Sequence, residues 1–298
     1  MSLGTKGRTL RNNQQYPLVR IALFCVLELC RFCFYFAAMT DLVPAINDLL
    51  QQYFDKVLVL TVPRFKERHE KVKERLAGIS FEFFYGTDKN DLDADAIGHN
   101  YVYDKSTSLA VRQQFKELNT GEIACSLSHR NIYQAMIDNN WERVLIFEDD
   151  VVPDFNNLPL LFDAIKELPP GWELFYLGYL KNEKITFGAQ LKQNWYKIMA
   201  VLGLSRMPLG MIKNRLPKKY SSSLLKAGFH DCTHAYAVSL EGAKKLVPAQ
   251  TPVKYRADNL LTALVLKGEL NAFISREYLF NQEIFTDKTD QSYIRKQP

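Results

Sequence analysis

Cysteine is scarce in this chain and follows no pattern. The 298 residues hold five, Cys25, Cys30, Cys33, Cys125 and Cys232, of which three cluster near the amino terminus. None of the spacings makes a zinc site. An odd count without a framework excludes a disulfide-stapled secreted module and points to a reducing compartment, so free thiols and a cytoplasmic location are expected. Long unbroken apolar runs are missing too. The one stretch near membrane length, residues 18–39, is interrupted by Arg20, Glu28 and Arg31. A charge at mid-segment costs about 2.5–3.5 kcal/mol on insertion scales, although Glu28 and Arg31 stand three apart and would pair on a helix. Residues 1–38 therefore keep three readings: a weak signal anchor, a helix packed on the domain, or an extension upstream of a natural start at Met39. No recognisable nucleic-acid module is present, and no nucleic-acid partner is expected. With 47% hydrophobic and 24% charged residues, wholesale disorder is excluded and a sizeable core is available.

Charge is present but unevenly spread. From Lys181 to Lys226 ten Lys and Arg face a single acid, Glu183, a local +9 in a chain whose net charge is +5, so the remainder carries about −4. Within that stretch Trp195, Tyr196, Ile198, Met199, Leu202 and Leu204 alternate with the basic residues. It reads as an insertion at 181–226. Its segment 192–219 suits peripheral contact with an anionic membrane surface, a lid over an acidic acceptor, or an ordinary solvated excursion.

The rest reads as an α/β domain over residues 39–298. Lys56–Val62 (KVLVLTV) is a continuous apolar run of the kind found in a parallel sheet covered on both faces. Pro63 then turns the chain into a helix, Arg64–Ala77, with Gly78 just past its end. Arg64 and Arg68 lie on its first turns, where an arginine could meet a diphosphate or simply line a solvated face. Phe81–Tyr85 is the second strand, with Thr87 and Asp88 beyond its carboxyl end. Asn119 and Glu122 form a capping-box pattern ahead of the helix that carries Ser128 and His129. Further strands are expected over Trp172–Gly178, ending in a glycine where a ligand can approach closely, and over His234–Ser239; a Ser239-capped helix follows the latter and stops at Pro248, and Asp258 opens another helix.

The most informative stretch is Arg143–Pro153, RVLIFEDDVVP. A buried strand breaks into three acids, Glu148, Asp149 and Asp150, at the place where open α/β sheets put their ligands. Grouped carboxylates there suit Mg²⁺ or Mn²⁺ shared with a substrate's phosphates; the plain alternative is an acidic loop.

These residues together resemble glycosyltransferase family 25, the lipopolysaccharide and lipooligosaccharide glycosyltransferases related to collagen galactosyltransferases. The resemblance runs from about Lys56 to Phe280, with 181–226 outside it. It is carried by GEIACSLSH (Gly121–His129), LIFEDDV (Leu145–Val151), THAYAVSLEGAKKL (Thr233–Leu246) and the later Asp258. Leu60-Thr61-Val62-Pro63 departs from the Asn-Leu-Asp-like end of strand one that many members carry. The resemblance implies a GT-A-like fold, mostly parallel, and an inverting transfer of galactose or glucose from a UDP-sugar to a glycan or glycolipid acceptor such as lipopolysaccharide. It implies metal ligation by Glu148 and Asp150, and donor contacts from Arg64, Arg68, Thr87, Asp88, Ser128, His129, Asp149 and His234. Asp258 would be the base that takes the acceptor proton. Two further classes stay open: a metal-dependent nucleotide or phosphate hydrolase, and a non-catalytic binding module on the same fold.

Overall fold

Six short apolar runs build the centre of the sheet, and their order decides where the acids fall. The structure, a computed structural model, describes residues 41–104, 117–180 and 185–286; the readings of residues 1–38, and the start of the basic stretch at 181–184, lie outside them. The chain divides into two units, residues 1–45 and 46–298. Of the first only 41–45 are described, and they are helical.

In the second unit, strands β1 (Lys56–Thr61), β2 (Glu82–Tyr85), β3 (Arg143–Glu148), β5 (Leu174–Leu180), β6 (Lys218–Lys219), β7 (Leu224–Lys226), β8 (Asp231–Ser239) and β9 (Ala272–Ser275) form one sheet in the order β2-β1-β3-β8-β5-β9-β7-β6. β4 (Val151–Pro153) pairs antiparallel with β10 (Phe280–Gln282) beside it. Tracing the pairings gives six strands of the eight pointing one way, with β8 and β7 opposed. Most strands thus share one direction, in a mixed sheet of three parallel and four antiparallel pairings, as an α/β fold allows.

Burial of β1 and β3 on both faces explains their unbroken apolar sequences. Leu58, Leu60, Val144, Ile146, Tyr176, Tyr236 and Val238 face one side, in a single cluster with Ile132, Tyr133 and Met136 of helix Thr120–Asp138 and with Leu260, Leu261 and Leu264 of helix Ala257–Lys267. The alternating residues Val57, Val59, Leu145, Phe147 and Phe175 are buried as well, and Phe147 meets Phe280 of β10 with ring centroids 4.8 Å apart. Each large aliphatic side chain withdrawn in this way stabilises the fold by about 1.5–3 kcal/mol. Nine of the eleven residues of Ala257–Lys267 are buried, which is why that helix is apolar all round rather than amphipathic.

The expected caps form. Asn119 accepts from the Glu122 N–H while the Glu122 side chain accepts from the Asn119 N–H, and Ser239 caps Leu240–Ala249. That helix runs one residue past Pro248, where the sequence suggested a stop. Two further expectations are corrected. The end of the basic stretch is not an excursion: β6 and β7 close the edge of the main sheet, β7 on β9, with Lys218 and Lys219 on the outermost strand, where charge discourages further pairing. And Gly178 does not open onto a ligand. A Cβ there would lie 2.2 Å from His234 Nε2 and 2.6 Å from the Phe280 carbonyl oxygen, so the glycine admits the chain's own histidine and β10.

Two glycines in different surroundings test this packing. Gly178→Ala is expected to lower the unfolding free energy by about 1–3 kcal/mol through overpacking. Gly98→Ala, inside helix Ala94–Asn100 with nothing within 4 Å of the new Cβ, is expected to raise it by about 0.5–1 kcal/mol. Urea denaturation of the two variants beside the parent measures both signs.

Candidate active site

The carboxyl ends of β1, β2 and β3 converge on a cavity of about 240 Å³. It is lined by Arg64 and Arg68, which follow β1; by Thr87, Asp88 and Lys89 beyond β2; and by Glu148, Asp149 and Asp150 at the end of β3. Helix Thr120–Asp138, entered through its capping box, contributes Gly121, Cys125, Ser128 and His129 to the wall. β10 contributes Gln282.

The three acids are held by three different sets of partners. Glu148 ends β3 beside the opening of β8, because Phe147 pairs with Ala235 across the antiparallel ladder. Thr233 there donates to Glu148 Oε1, and His129 Nε2 lies 3.3 Å from the same oxygen. His129 Nδ1 in turn is 2.7 Å from the Tyr236 hydroxyl, which is 2.7 Å from that of Tyr133. Burial pushes Glu148 upward, but His129 and Thr233 outweigh it and hold the carboxyl below its usual range. This chain of buried polar groups fixes Glu148 in place.

Asp149 points back toward β1. Thr61 donates to its Oδ2 at 2.6 Å, and Arg68 Nη1 lies 2.9 Å from its Oδ1. His69 supports that contact from behind, with Nε2 3.1 Å from both Thr61 Oγ1 and the Val62 carbonyl. Burial still dominates, and the carboxyl is raised.

Asp150 is the least satisfied. Gln282 donates to Oδ2 at 2.8 Å and Arg68 Nη2 stands 3.6 Å from that oxygen, whereas Oδ1 is buried and accepts no hydrogen bond. Burial, and then repulsion from Glu148, push this carboxyl up to about 7, with Arg68 opposing them. A buried carboxylate oxygen without a donor is rare, and a divalent cation is the partner its chemistry invites. Among the described residues no three His, Cys, Asp or Glu side chains converge to cage a metal. The donor set thus fits a hard cation held by Asp150 and completed by substrate oxygens and water, the habit of Mg²⁺ and Mn²⁺ at phosphate sites, rather than a closed protein cage. Glu148, the other expected ligand, has Oε1 engaged by Thr233 and His129.

The opposite wall is basic. Arg64 and Arg68 both lie over the Phe65 ring, at 4.5 and 5.6 Å, and Arg64 pairs with Asp88. Burial raises Asp88, but the Asn90 N–H and Arg64 more than offset it, and the carboxyl is lowered. Ser128 accepts from the Thr87 N–H at 2.9 Å and so pins the turn after β2 onto the helix. A Cβ on Gly86 would lie 2.4 Å from Ser128 Oγ, so only glycine lets these two elements meet this closely.

Nine of the eleven residues expected at the site therefore line one cavity: Arg64, Arg68, Thr87, Asp88, Ser128, His129, Glu148, Asp149 and Asp150. His234 and Asp258 do not. His234 is buried beneath the cavity floor, with Nε2 3.2 Å from the Phe280 carbonyl, and burial lowers its pKa. Asp258 accepts from the Cys232 N–H at 3.3 Å, and burial followed by repulsion from Asp231 raises its carboxyl. It is electrostatically close to the cavity all the same: the Cys125 thiol, on the wall, is pushed up by burial and then by the charges of Glu148 and Asp258. Phe65, Gln282 and the Tyr133–Tyr236 pair were missed, since each acquires its role only through contacts the fold creates.

Acids and arginines gathered at the carboxyl ends of parallel strands are the layout of an α/β protein that binds a phosphorylated ligand. Residues 54–261 match the family model described as glycosyltransferase family 25 (LPS biosynthesis protein), and the chain belongs to that family. The human protein named inactive glycosyltransferase 25 family member 3 is 29% identical over 202 residues, covering 66% of this chain and 29% of its own length. Human procollagen galactosyltransferase 2 is 25% identical over 205 residues, covering 66% and 28%. A glycosyltransferase 25 family member from Aedes aegypti is 27% identical over 199 residues, covering 64% and 27%. The chain thus spans under a third of the length of these relatives. Among solved structures, the apo form of mouse xyloside xylosyltransferase 1 aligns over 72% of this chain and 70% of its own, at 8% identity and a TM-score of 0.36, a likeness too distant to argue from.

The raised Asp150 has a measurable consequence. Its folded pKa of about 7 exceeds the ordinary 3.8, so the stability that comes from holding its proton is complete below about pH 4 and is lost as pH rises through about 7. In metal-free buffer, the unfolding free energy is expected to fall between pH 5 and pH 8 by at least about 1 kcal/mol more in the parent than in Asp150→Asn. Urea denaturation at the two pH values measures this; equal slopes would mean that Asp150 is ionised throughout.

Proposed function

We propose that this chain transfers a hexose, galactose or glucose, from a UDP-sugar to a glycan acceptor with inversion at the sugar carbon. The observation that carries the reading is the unpartnered, buried Oδ1 of Asp150, in a cavity also lined by Arg64 and Arg68, within a family 25 chain. A nucleoside diphosphate has the complementary chemistry: oxygens for the guanidinium groups of Arg64 and Arg68, and for a cation at Asp150.

In this reading Arg64 and Arg68 hold the diphosphate, and the Phe65 ring beneath them limits the rotamers they would lose on binding. Thr87 and Asp88 meet the ribose or base. Asp150, with Glu148 beside it, would hold Mn²⁺ or Mg²⁺, which would supply positive charge opposite the departing diphosphate. Inversion requires an incoming hydroxyl to lose its proton as the bond from the anomeric carbon to the diphosphate breaks. A carboxylate with a raised pKa suits that task, and Asp258, raised by burial and by Asp231, is the base we assign; because it does not line the cavity, the acceptor would meet it outside the walls described above. The acceptor is kept at the level of a glycan. The family description names lipopolysaccharide biosynthesis, whereas two relatives are named for procollagen and for an inactive member.

Calorimetric titration of UDP and GDP, each with and without Mn²⁺, tests the reading. UDP is expected to bind in the presence of Mn²⁺ and to lose at least about ten-fold in affinity in Asp150→Ala, with a comparable loss in Arg68→Ala. Acceptor-independent release of UDP from UDP-galactose or UDP-glucose at full rate would favour the hydrolase. Nucleotide binding without turnover on any glycan, or no binding at all, would favour a non-catalytic member.

A further inference from the structure

Outside the cavity, the most unusual surface belongs to the helix Phe187–Val201. It is 15 residues long and has no buried residue. At 100° per residue, Phe187, Leu191, Trp195, Ile198, Val201 and Leu202 fall within an arc of about 120°, and every one is exposed, Phe187 to 80% and Val201 to 72%. The helix is anchored by its other side: Gln193 Nε2 donates to the Ile212 carbonyl at 2.7 Å, and the Arg215 guanidinium lies 5.4 Å from the Tyr196 ring. The apolar stripe is thus turned outward while the polar and aromatic side is fixed to the domain, the reverse of an ordinary surface helix.

The charges beside the stripe say what would cover it. On the same wheel Lys192 and Lys197 stand one on each flank of the apolar arc. From residue 184 to residue 230 the sequence holds nine Lys and Arg and no acid. A second copy of this chain would bring like charge against like charge. A convex stripe about a third of the helix circumference wide has no groove to receive a peptide. A fluid interface with negative headgroups answers both features, taking up the side chains of the stripe and attracting the lysines. Among the described residues no helix is long and apolar enough to cross a membrane, so contact would be in the plane of the surface.

We propose that the Phe187–Val201 helix docks this domain, stripe inward, on an anionic lipid bilayer. The proposal is independent of the reaction at the cavity. Docking would hold the domain in the layer where a lipid-linked molecule is found, whatever chemistry follows.

Vesicle flotation of the full chain tests it, using phosphatidylcholine alone and phosphatidylcholine with about one-third phosphatidylglycerol. Binding is expected to the anionic vesicles and to weaken as salt is raised. Trp195→Glu combined with Ile198→Glu is expected to lower the partition coefficient at least about ten-fold. Lys192→Glu combined with Lys197→Glu is expected to lower it on anionic vesicles alone. All four positions lie outside the core, and unchanged urea midpoints verify that the variants fold. No binding of the parent to anionic vesicles, or equal binding of the parent and the stripe variant, would overturn the proposal. So would self-association of the parent in lipid-free buffer that the stripe variant abolishes, since that outcome assigns the face to a second copy.

Discussion

Three adjacent carboxylates at the buried end of a strand repel one another and lose most of their hydration, so the fold must supply each with a counterpart or leave it protonated. The arrangement around Glu148, Asp149 and Asp150 is organised by that constraint. Arg68 reaches two of them at once, the His129–Tyr236–Tyr133 chain steadies the third, and what remains uncompensated is concentrated on one oxygen of Asp150. An isolated charge buried in this way would be intolerable. In the function proposed above, that oxygen is where a cation shared with a phosphorylated ligand would bind. The same logic places the arginines: their charge offsets the acids, and in the proposed function it would be shared with phosphate oxygens.

The layout of the sheet turns this local problem into a shaped site. β8 runs against its neighbours and lies between β3 and β5. Its first residues therefore stand beside the last residues of β3, and Thr233 meets Glu148. A parallel strand in that position would have brought its carboxyl end there instead, with Ser239 in place of Thr233. The small β4–β10 ladder does the same for Asp150, bringing Gln282 up from the far end of the domain.

Much of this was legible in the sequence, and the reasons are specific. The unbroken apolar runs at β1 and β3 announced strands buried on both faces. Asn119 and Glu122 announced the helix that carries Ser128 and His129, and the acids after Phe147 marked the ligand end of the sheet. What the sequence could not reveal depends on distant pairing. Nothing local to Gln282 or Tyr236 distinguishes it from other polar or core residues, because their partners lie 132 and 107 residues away. The basic stretch stayed open for the opposite reason: its composition suited a membrane contact, a lid or a solvated excursion alike, and only the pairing of β7 with β9 shows that its last residues belong to the sheet. His234 and Asp258 were assigned to the site by motif, but β8 and the helix Ala257–Lys267 leave them outside the cavity lining.

The β4–β10 ladder also sets an order of events on a ribosome. The acidic triplet emerges early at the end of β3, but its last hydrogen-bond partners are the Gln282 side chain and the Glu283 backbone N–H, which donates to the Asp150 carbonyl at 2.8 Å. Until roughly 130 further residues have been made, this end of the sheet has its negative charge without its full complement of donors. Nascent chains interrupted within that interval would carry the acids with neither a completed core nor a finished mouth.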